Sequence, residues 1–293
     1  MRISLTPEAR AESLIEALPY IQRFRGKTFV VKYGGAAMEE DQIVDRFLRD
    51  LVFLEAVGIN PVLVHGGGKV ITARMREAGL KPQFLNGLRV TDEKSIRIVE
   101  ETLDKDINPK IVDTIVKFGG KAQGFSGKSV FIARKLGLQR KETGEQVDIG
   151  FVGEAARIDI RNISSVIKDE VVPVISPIGA DEEGIVLNIN ADVAAAALAS
   201  AIKAVKLIYV SDVPGIMRDP NSSDSLIPTV HSEQIEPLIK HKVIDGGMIP
   251  KVQSAAEALK SGVEKIHMIG GNIQHCLLLE IFTNSGIGTE IVP

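Results

Sequence analysis

Twice near its start the chain runs through the same succession of signals. Residues 28–32 (TFVVK) form a short β-branched run that gives way to Gly34-Gly35, and residues 41–57 then carry Ile43, Val44, Phe47, Leu48, Leu51 and Leu54 at helical spacing. Residues 61–64 (PVLV) form a second run, followed by His65-Gly66-Gly67-Gly68 and a helical pattern to Ala78. Strand, glycine turn and helix in repeated order specify parallel strands, because a parallel neighbour is reached only through a crossover, usually a helix. The pattern continues with apolar runs at 130–133, 171–175, 206–210 and 265–269. Helical spacing recurs at 92–116, interrupted near Asn108-Pro109, and at 191–202 and 251–261. These predict an α/β fold, an open, mostly parallel central sheet sandwiched between helices. Residues 136–151 are polar and predict a hairpin excursion turning at Thr143-Gly144. In such sheets ligands lie beyond the carboxyl ends of the strands, where the glycine clusters fall.

Composition narrows the class of function. A chain of 293 residues with 44% hydrophobic and 25% charged residues can bury a sizeable core without staples. Its one cysteine, Cys276, allows no internal disulfide, and no Cys/His cluster has zinc spacing, so we expect a reducing, cytoplasmic setting and no structural metal. No run of 18 apolar residues is present, and the N-terminus lacks an apolar signal core, which argues against a membrane or secreted protein. A net charge of −3 without a basic tract argues against nucleic acid as a partner.

Three glycines in a row bring the backbone close to something, and the known phosphate and oxyanion devices can be tested in turn. HGGGKVI lacks the last glycine of a dinucleotide fingerprint, and Gly127-Lys128-Ser129 lacks the first glycine of a Walker loop, whose place falls on Ala122. A lipase-type oxyanion hole would need a nucleophilic serine in G-x-S-x-G, and Gly124-Phe125-Ser126-Gly127 is followed by Lys128. What gives the triple glycine meaning is its company. Lys32 ends the first strand, Asn188-Ile189-Asn190-Ala191-Asp192 opens a helix, Ser211-Asp212-Val213-Pro214-Gly215 ends a strand, and Gly246-Gly247 precedes a helix bearing Lys251.

With these motifs, and above all with Asn86-Gly87-Leu88-Arg89-Val90-Thr91-Asp92, the chain resembles the amino acid kinase family over residues 27–292. The resemblance is to members that phosphorylate the γ-carboxylate of N-acetyl-L-glutamate with ATP, the second step of arginine biosynthesis. It implies that Lys32 and Lys251 stabilise the transferring phosphoryl group and that Asp192 orients both lysines. It further implies acyl-amino-acid binding by Gly67, Gly68, Arg89, Asn188 and Asn190, and nucleotide binding by Gly34, Gly35, Ser211, Asp212, Gly215 and Lys251. Mg²⁺ would be held mainly by phosphates and water, with no protein ligand assigned. The chemistry agrees, since a substrate carboxylate with a pKa of about 4.3 is ionised at neutral pH and needs no general base. By the same resemblance residues 27–180 would bind the acyl amino acid and dimerise, and residues 181–293 would bind ATP.

The ends of the chain suggest regulation. Thr6-Pro7 reads as a helix start, and Leu14, Ile15, Leu18 and Ile21 share one face of the helix that follows. The resemblance implies that residues 1–26 interlace dimers into a hexamer, as in arginine-inhibited members, and that Tyr20, His267, Glu280 and Gly286 belong to an L-arginine site. Glu290 departs from the methionine often found there. Whether the helix meets a second copy or a nitrogen-signalling protein stays open. A kinase for carrier-linked substrates would carry a changed 86–92 motif, and a non-catalytic sensor would have no need of both lysines.

Overall fold

The computed structural model describes residues 6–38, 40–141 and 143–293, so residues 1–5 of the N-terminal segment lie outside the described residues. Helix α1 (Pro7–Phe24) begins as read: Thr6 Oγ1 accepts from the Ala9 amide at 3.2 Å, and Pro7 sits where its missing N–H is not needed. Leu14 and Ile15 are each 67% exposed and Leu18 43%, so the apolar face is uncovered in the single chain. The end of the helix is anchored, with Phe24 buried edge-on against Phe29.

Both repeats form as the sequence predicts. Strand β1 (Thr28–Tyr33) leads to α2 (Asp41–Ala56), and β2 (Asn60–His65) leads to α3 (Gly68–Glu77). A hairpin of β3 (Phe84–Leu85) and β4 (Leu88–Arg89) follows, turning on Asn86 and Gly87 with both at positive φ, as a primed two-residue turn requires. Next come α4 (Glu93–Glu101) and α5 (Asn108–Lys117). The interruption expected near Asn108-Pro109 is not a break: a wider π-helical stretch, Thr102–Ile107, joins the two helices, and Pro109 falls in the first turn of α5, where proline is tolerated.

The chain continues through β5 (Ala122–Phe125) and β6 (Phe131–Lys135) to the small excursion of β7 (Gln139–Arg140) and β8 (Gln146–Val147), with Gly144 at positive φ. Then follow β9 (Val152–Ile158), α6 (Arg161–Lys168), β10 (Val172–Ile175), β11 (Ile178–Ala180), β12 (Val186–Ile189) and α7 (Ala191–Ala201). The last part holds β13 (Lys206–Ser211), β14 (Thr229–His231), α8 (Ile235–Lys240), α9 (Met248–Lys260), β15 (Lys265–Gly270), α10 (Cys276–Ile281) and β16 (Thr289–Val292).

Eight strands make the central sheet in the order β14-β16-β15-β13-β1-β2-β10-β5, parallel apart from the β15–β16 pair, and β11, β12, β9 and β6 close a small barrel beside it. Side chains alternate across the sheet. Phe29, Val31, Tyr33, Leu63 and Ile208 pack on the face covered by α2, the 93–117 helical run and α10, and Tyr33 stacks on Phe47 at 3.8 Å between ring centres. Val30, Val62, Val64, Leu207 and Tyr209 pack on the other face, against the alanines of α7 and the apolar side of α9. The same alternation decides which face Lys32 and His65 enter. Lys32 follows Val30 toward α7, and His65 follows Leu63 toward the 93–117 helical run. No described helix is long and apolar enough to cross a membrane.

Candidate active site

Parallel pairing brings the carboxyl ends of β1, β2 and β13 to one edge, where Lys32 sits beside Val64 and Tyr209. Helix α7 starts at the same edge because Asn190 caps it, its Oδ1 accepting from the amides of Asp192 at 2.8 Å and Val193 at 3.3 Å. Asp192 in the first turn therefore meets Lys32, with Nζ to Oδ1 at 3.0 Å. Lys251, in the first turn of α9, acts on the same carboxylate. Burial by itself would raise the Asp192 carboxyl, but Lys32 and Lys251 outweigh it and hold the group below the usual carboxylate range. Burial and the neighbouring Lys32 pull the Lys251 ammonium down, while Asp192 and Asp212 oppose them. One carboxylate thus organises two buried cations.

In front of this trio lies a cavity of about 240 Å³, lined by Lys32, Asp192, Arg89, Asn188, Asn190 and the glycines of both turns. The two turns touch: a Cβ on Gly66 would sit 3.3 Å from Gly34 Cα. Arg89 is buried and held on three sides. Its Nη2 donates to Gly68 O at 2.7 Å and to Thr72 Oγ1 at 2.9 Å, its Nη1 contacts Met75 Sδ at 3.3 Å, and its guanidinium lies 4.6 Å from the centre of the Phe84 ring. Asn188 Nδ2 donates to Thr91 Oγ1 at 3.3 Å, and that hydroxyl donates to Arg89 O at 2.7 Å, so hairpin and β12 are tied together. With Oδ1 of Asn190 engaged as the cap, what this side chain can offer a ligand is its amide N–H.

A second cavity of about 420 Å³ is lined by Asp212, Gly215, Met217, Val243, Met248 and Lys251. Gly35 connects the two, since a Cβ there would meet Asp212 Oδ1 at 3.5 Å. Gly215 has no room for a side chain, as Thr289 Oγ1 lies 2.5 Å from where its Cβ would be. Ser211 is buried beneath the loop, its hydroxyl donating to Val213 O at 3.3 Å, and it does not line this cavity. Among the described residues no group of three or more His, Cys, Asp or Glu side chains could hold a metal, and Asp192 is engaged by lysines. A magnesium ion carried in on phosphates would fit this arrangement, since it needs few protein ligands.

The residues read as an effector site also gather, on the other face of the sheet, where His267 stands level with Ile208 and beside α10. His267 Nδ1 donates to Glu280 Oε1 at 2.5 Å, and Glu280 Oε2 accepts from the amides of Ile287 at 2.7 Å and Gly288 at 3.2 Å. Gly286 has φ +60, and a Cβ on it would lie 2.8 Å from Glu280 Oε2. Tyr20 donates to Asn284 Oδ1 at 2.5 Å and lies edge-on to Phe282, so α1 rests on this segment. Glu290 is engaged elsewhere, accepting from Lys265 Nζ at 2.8 Å and Thr229 Oγ1 at 3.2 Å.

Several contributors escaped the sequence reading. Lys206 joins the second cluster, its Nζ 2.6 Å from His267 Nε2. Tyr209 and Ser254 meet at 3.1 Å, and Ser254 donates to Lys251 O at 2.9 Å, bracing the start of α9. Thr72 had a usable signal, because it stands one helical turn after Gly68 and so faces the same way.

Comparison with known proteins places the chain. Residues 27–270 match the model of the amino acid kinase family. The chain is 48% identical over 285 residues to an acetylglutamate kinase of Akkermansia muciniphila, covering 97% of this chain and 95% of that one. It is likewise 48% identical over 287 residues to an acetylglutamate kinase of Methanocaldococcus jannaschii, covering 96% of each. Among solved structures, N-acetylglutamate synthase from Neisseria gonorrhoeae in complex with coenzyme A and N-acetyl-glutamate superposes with a TM-score of 0.85 at 26% identity, over 97% of this chain and 63% of that one. The same synthase in complex with coenzyme A and L-arginine superposes at 0.80 with 26% identity, over 96% of this chain and 65% of that one. This chain thus spans less than two thirds of the synthase. By sequence over nearly its whole length, and by fold, the chain belongs to the amino acid kinase family and within it to the acetylglutamate kinases.

Proposed function

We propose that this chain transfers the γ-phosphoryl group of ATP to the side-chain carboxylate of N-acetyl-L-glutamate, giving N-acetyl-L-glutamyl 5-phosphate and ADP. The observation that carries the reading is the single buried carboxylate of Asp192 holding Lys32 at 3.0 Å and acting on Lys251 where the two cavities meet. The acyl amino acid would occupy the smaller cavity and the nucleotide the larger. A phosphoryl group passing between them gathers charge on its equatorial oxygens, and two fixed ammonium groups with backbone amides from both glycine turns would meet that charge without reorganising. The acceptor is already ionised, so the residues need only hold it in line.

Arg89 has N–H donors beyond those spent on Gly68, Thr72 and Met75, and these would pair with the α-carboxylate of the substrate. Asn188 and Asn190 would read the acetamido group and that carboxylate. Magnesium, carried on the nucleotide, would neutralise its phosphates. In this reading residues 27–180 serve mainly the acyl amino acid and residues 181–293 mainly the nucleotide. L-arginine would bind at the cluster of Tyr20, His267, Glu280 and Gly286 and inhibit. The uncovered Leu14, Ile15 and Leu18 on α1 support assembly of dimers, through this helix, into a hexamer.

The test is hydroxylamine trapping of acyl phosphate with Mg-ATP and N-acetyl-L-glutamate, beside glutamate and aspartate, with and without L-arginine. Product from the acetylated substrate alone is expected, suppressed by arginine with a sigmoidal response. Product from none of the three refutes the proposed reaction, and product that arginine leaves untouched refutes the inhibition.

A further inference from the structure

Behind the glycine turn that follows β2 stand two buried side chains to which the reaction above gives no part. His65 is fully buried, and its Nδ1 lies 2.9 Å from the carbonyl oxygen of Gly66. A carbonyl only accepts, so Nδ1 carries the proton and Nε2 is left as an acceptor. Asn108 Nδ2 lies 3.2 Å from that Nε2 and also donates to Val174 O at 2.9 Å. Turning the Asn108 amide over would set its oxygen against the Val174 carbonyl. Instead Oδ1 occupies space that Gly124 leaves open, for a Cβ there would overlap it. Every polar atom of the pair therefore has one assignment. Burial also pushes the imidazole down to about 4, which keeps it neutral in ordinary buffers.

A trans peptide points its carbonyl and its amide in opposite directions. Gly66 donates its own N–H to Tyr33 O at 2.6 Å, and His65 draws its carbonyl inward, so the N–H of Gly67 is turned outward. The inward side of Gly67 is closed, since a Cβ there would lie 2.7 Å from Leu103 Cδ2 and 2.8 Å from Ile107 Cδ1, while Gly67 lines the cavity in front. The π-helical stretch Thr102–Ile107 accounts for this arrangement. It brings Leu103 and Ile107 onto the glycine and delivers Asn108, the next residue, to His65.

We infer that His65 and Asn108 are positioning residues for phosphoryl transfer: through the Gly66 carbonyl they set the direction of the Gly67 amide that donates to the reacting oxygens. This rests on the function proposed above. The pair touches no substrate and acts only through the backbone. Loss of one well-aimed amide donor costs about a hundredfold in kcat.

The experiment compares His65→Leu, which lacks the donor, with His65→Asn, whose amide nitrogen falls where Nδ1 was and can still donate to Gly66 O. Both are assayed by acyl-phosphate trapping below their melting temperatures. The leucine variant is expected to lose about a hundredfold in kcat, with KM for both substrates within about threefold, and the asparagine variant to recover at least about tenfold. A merely structural role would lower the melting temperature of both and leave kcat of the folded enzyme alone. The inference is overturned if folded His65→Leu keeps kcat within about threefold, or if His65→Asn is no better than His65→Leu. Should the leucine variant fail to fold, long-range ¹⁵N–¹H spectra of the wild-type chain at pH 7 decide. His65 must appear as the neutral Nδ1–H tautomer, and an Nε2–H or doubly protonated ring overturns the inference. A wild-type chain that forms no acyl phosphate refutes the proposed function itself, whereas an active wild type with an unimpaired leucine variant refutes this inference alone.

Discussion

Replacing Lys206 with methionine is expected to change how stability depends on pH more than it changes stability at neutrality. Lys206 opens β13 with its ammonium buried, 2.6 Å from His267 Nε2. Burial, aided by Lys265, pulls its pKa from the ordinary 10.5 down to about 8, with Glu280 and Glu290 opposing. A folded value below the unfolded one means that the unfolded chain binds more protons between pH 8 and 10.5. Stability therefore rises with pH through that window, and below pH 8 the penalty is fully present. At 1.36 kcal/mol per pKa unit the penalty is about 3 kcal/mol. Methionine carries no such penalty, but it leaves His267 Nε2 without its donor, a loss of about 1–3 kcal/mol for a buried acceptor. The two effects nearly cancel at pH 7. By pH 10 the wild type has regained about 2 kcal/mol and the variant nothing. Urea unfolding of both proteins at pH 7 and pH 10 isolates the effect, because the other lysines and the tyrosines titrate alike in both. A difference between the two proteins that stays constant with pH to within about 0.5 kcal/mol would refute the reasoning.

Three further outcomes are expected. Lys32→Arg keeps the charge, but the ammonium it replaces is so close to Gly34 that a Cβ there would lie 2.7 Å from Nζ. The bulkier guanidinium is expected to lower kcat by at least about a hundredfold while ATP affinity by calorimetry stays within about threefold, and retained turnover would sink the role given to Lys32. Arg89→Lys exchanges a planar fork for a point charge, so KM for N-acetyl-L-glutamate is expected to rise about a hundredfold with KM for ATP unchanged; equal rises in both would contradict the assignment. A Cβ on Gly127 would overlap the backbone carbonyl oxygens of both Ser176 and Ile178, which cannot yield as a side chain end can. Gly127→Ala is therefore expected to destabilise by about 3 kcal/mol in urea unfolding, and a neutral result would show that the turn at Gly127 and the 176–178 segment can part.

What could be read from the sequence divides along physical lines. β1, β2, β10, β13 and β15 were legible because strands buried on both faces are continuous apolar runs, and α2 and α7 because their apolar positions repeat every turn. The barrel strand β9 was not, for its residues VGEAARI mix small, charged and apolar side chains on a half-buried surface. The hairpin of β3 and β4 was missed although Asn86-Gly87 announces its turn, since two-residue strands leave no periodicity to find. Lys32, Asp192 and Lys251 are far apart in the chain, and no spacing rule unites them. Resemblance named them, and the alternation of β1 with the cap of α7 explains how Lys32 and Asp192 meet. Lys206 was invisible because a lysine at the start of a strand ordinarily reaches water.

The place of β1 in the sheet has a consequence for how the chain is made. Val30 pairs on one side with Val62, a near neighbour in sequence, and on the other with Leu207, from the last third of the chain. A ribosome releasing the chain from its N-terminus can assemble β1, β2, β5 and β10 while β13 is still unsynthesised, leaving one flank of the most central strand as an open edge. Such an edge invites pairing with another chain until its proper neighbour arrives. Biosynthesis thus exposes, for a time, the very strand that holds Lys32, and closure of the sheet over β1 is the step that an elongation pause or a chaperone would govern most strongly.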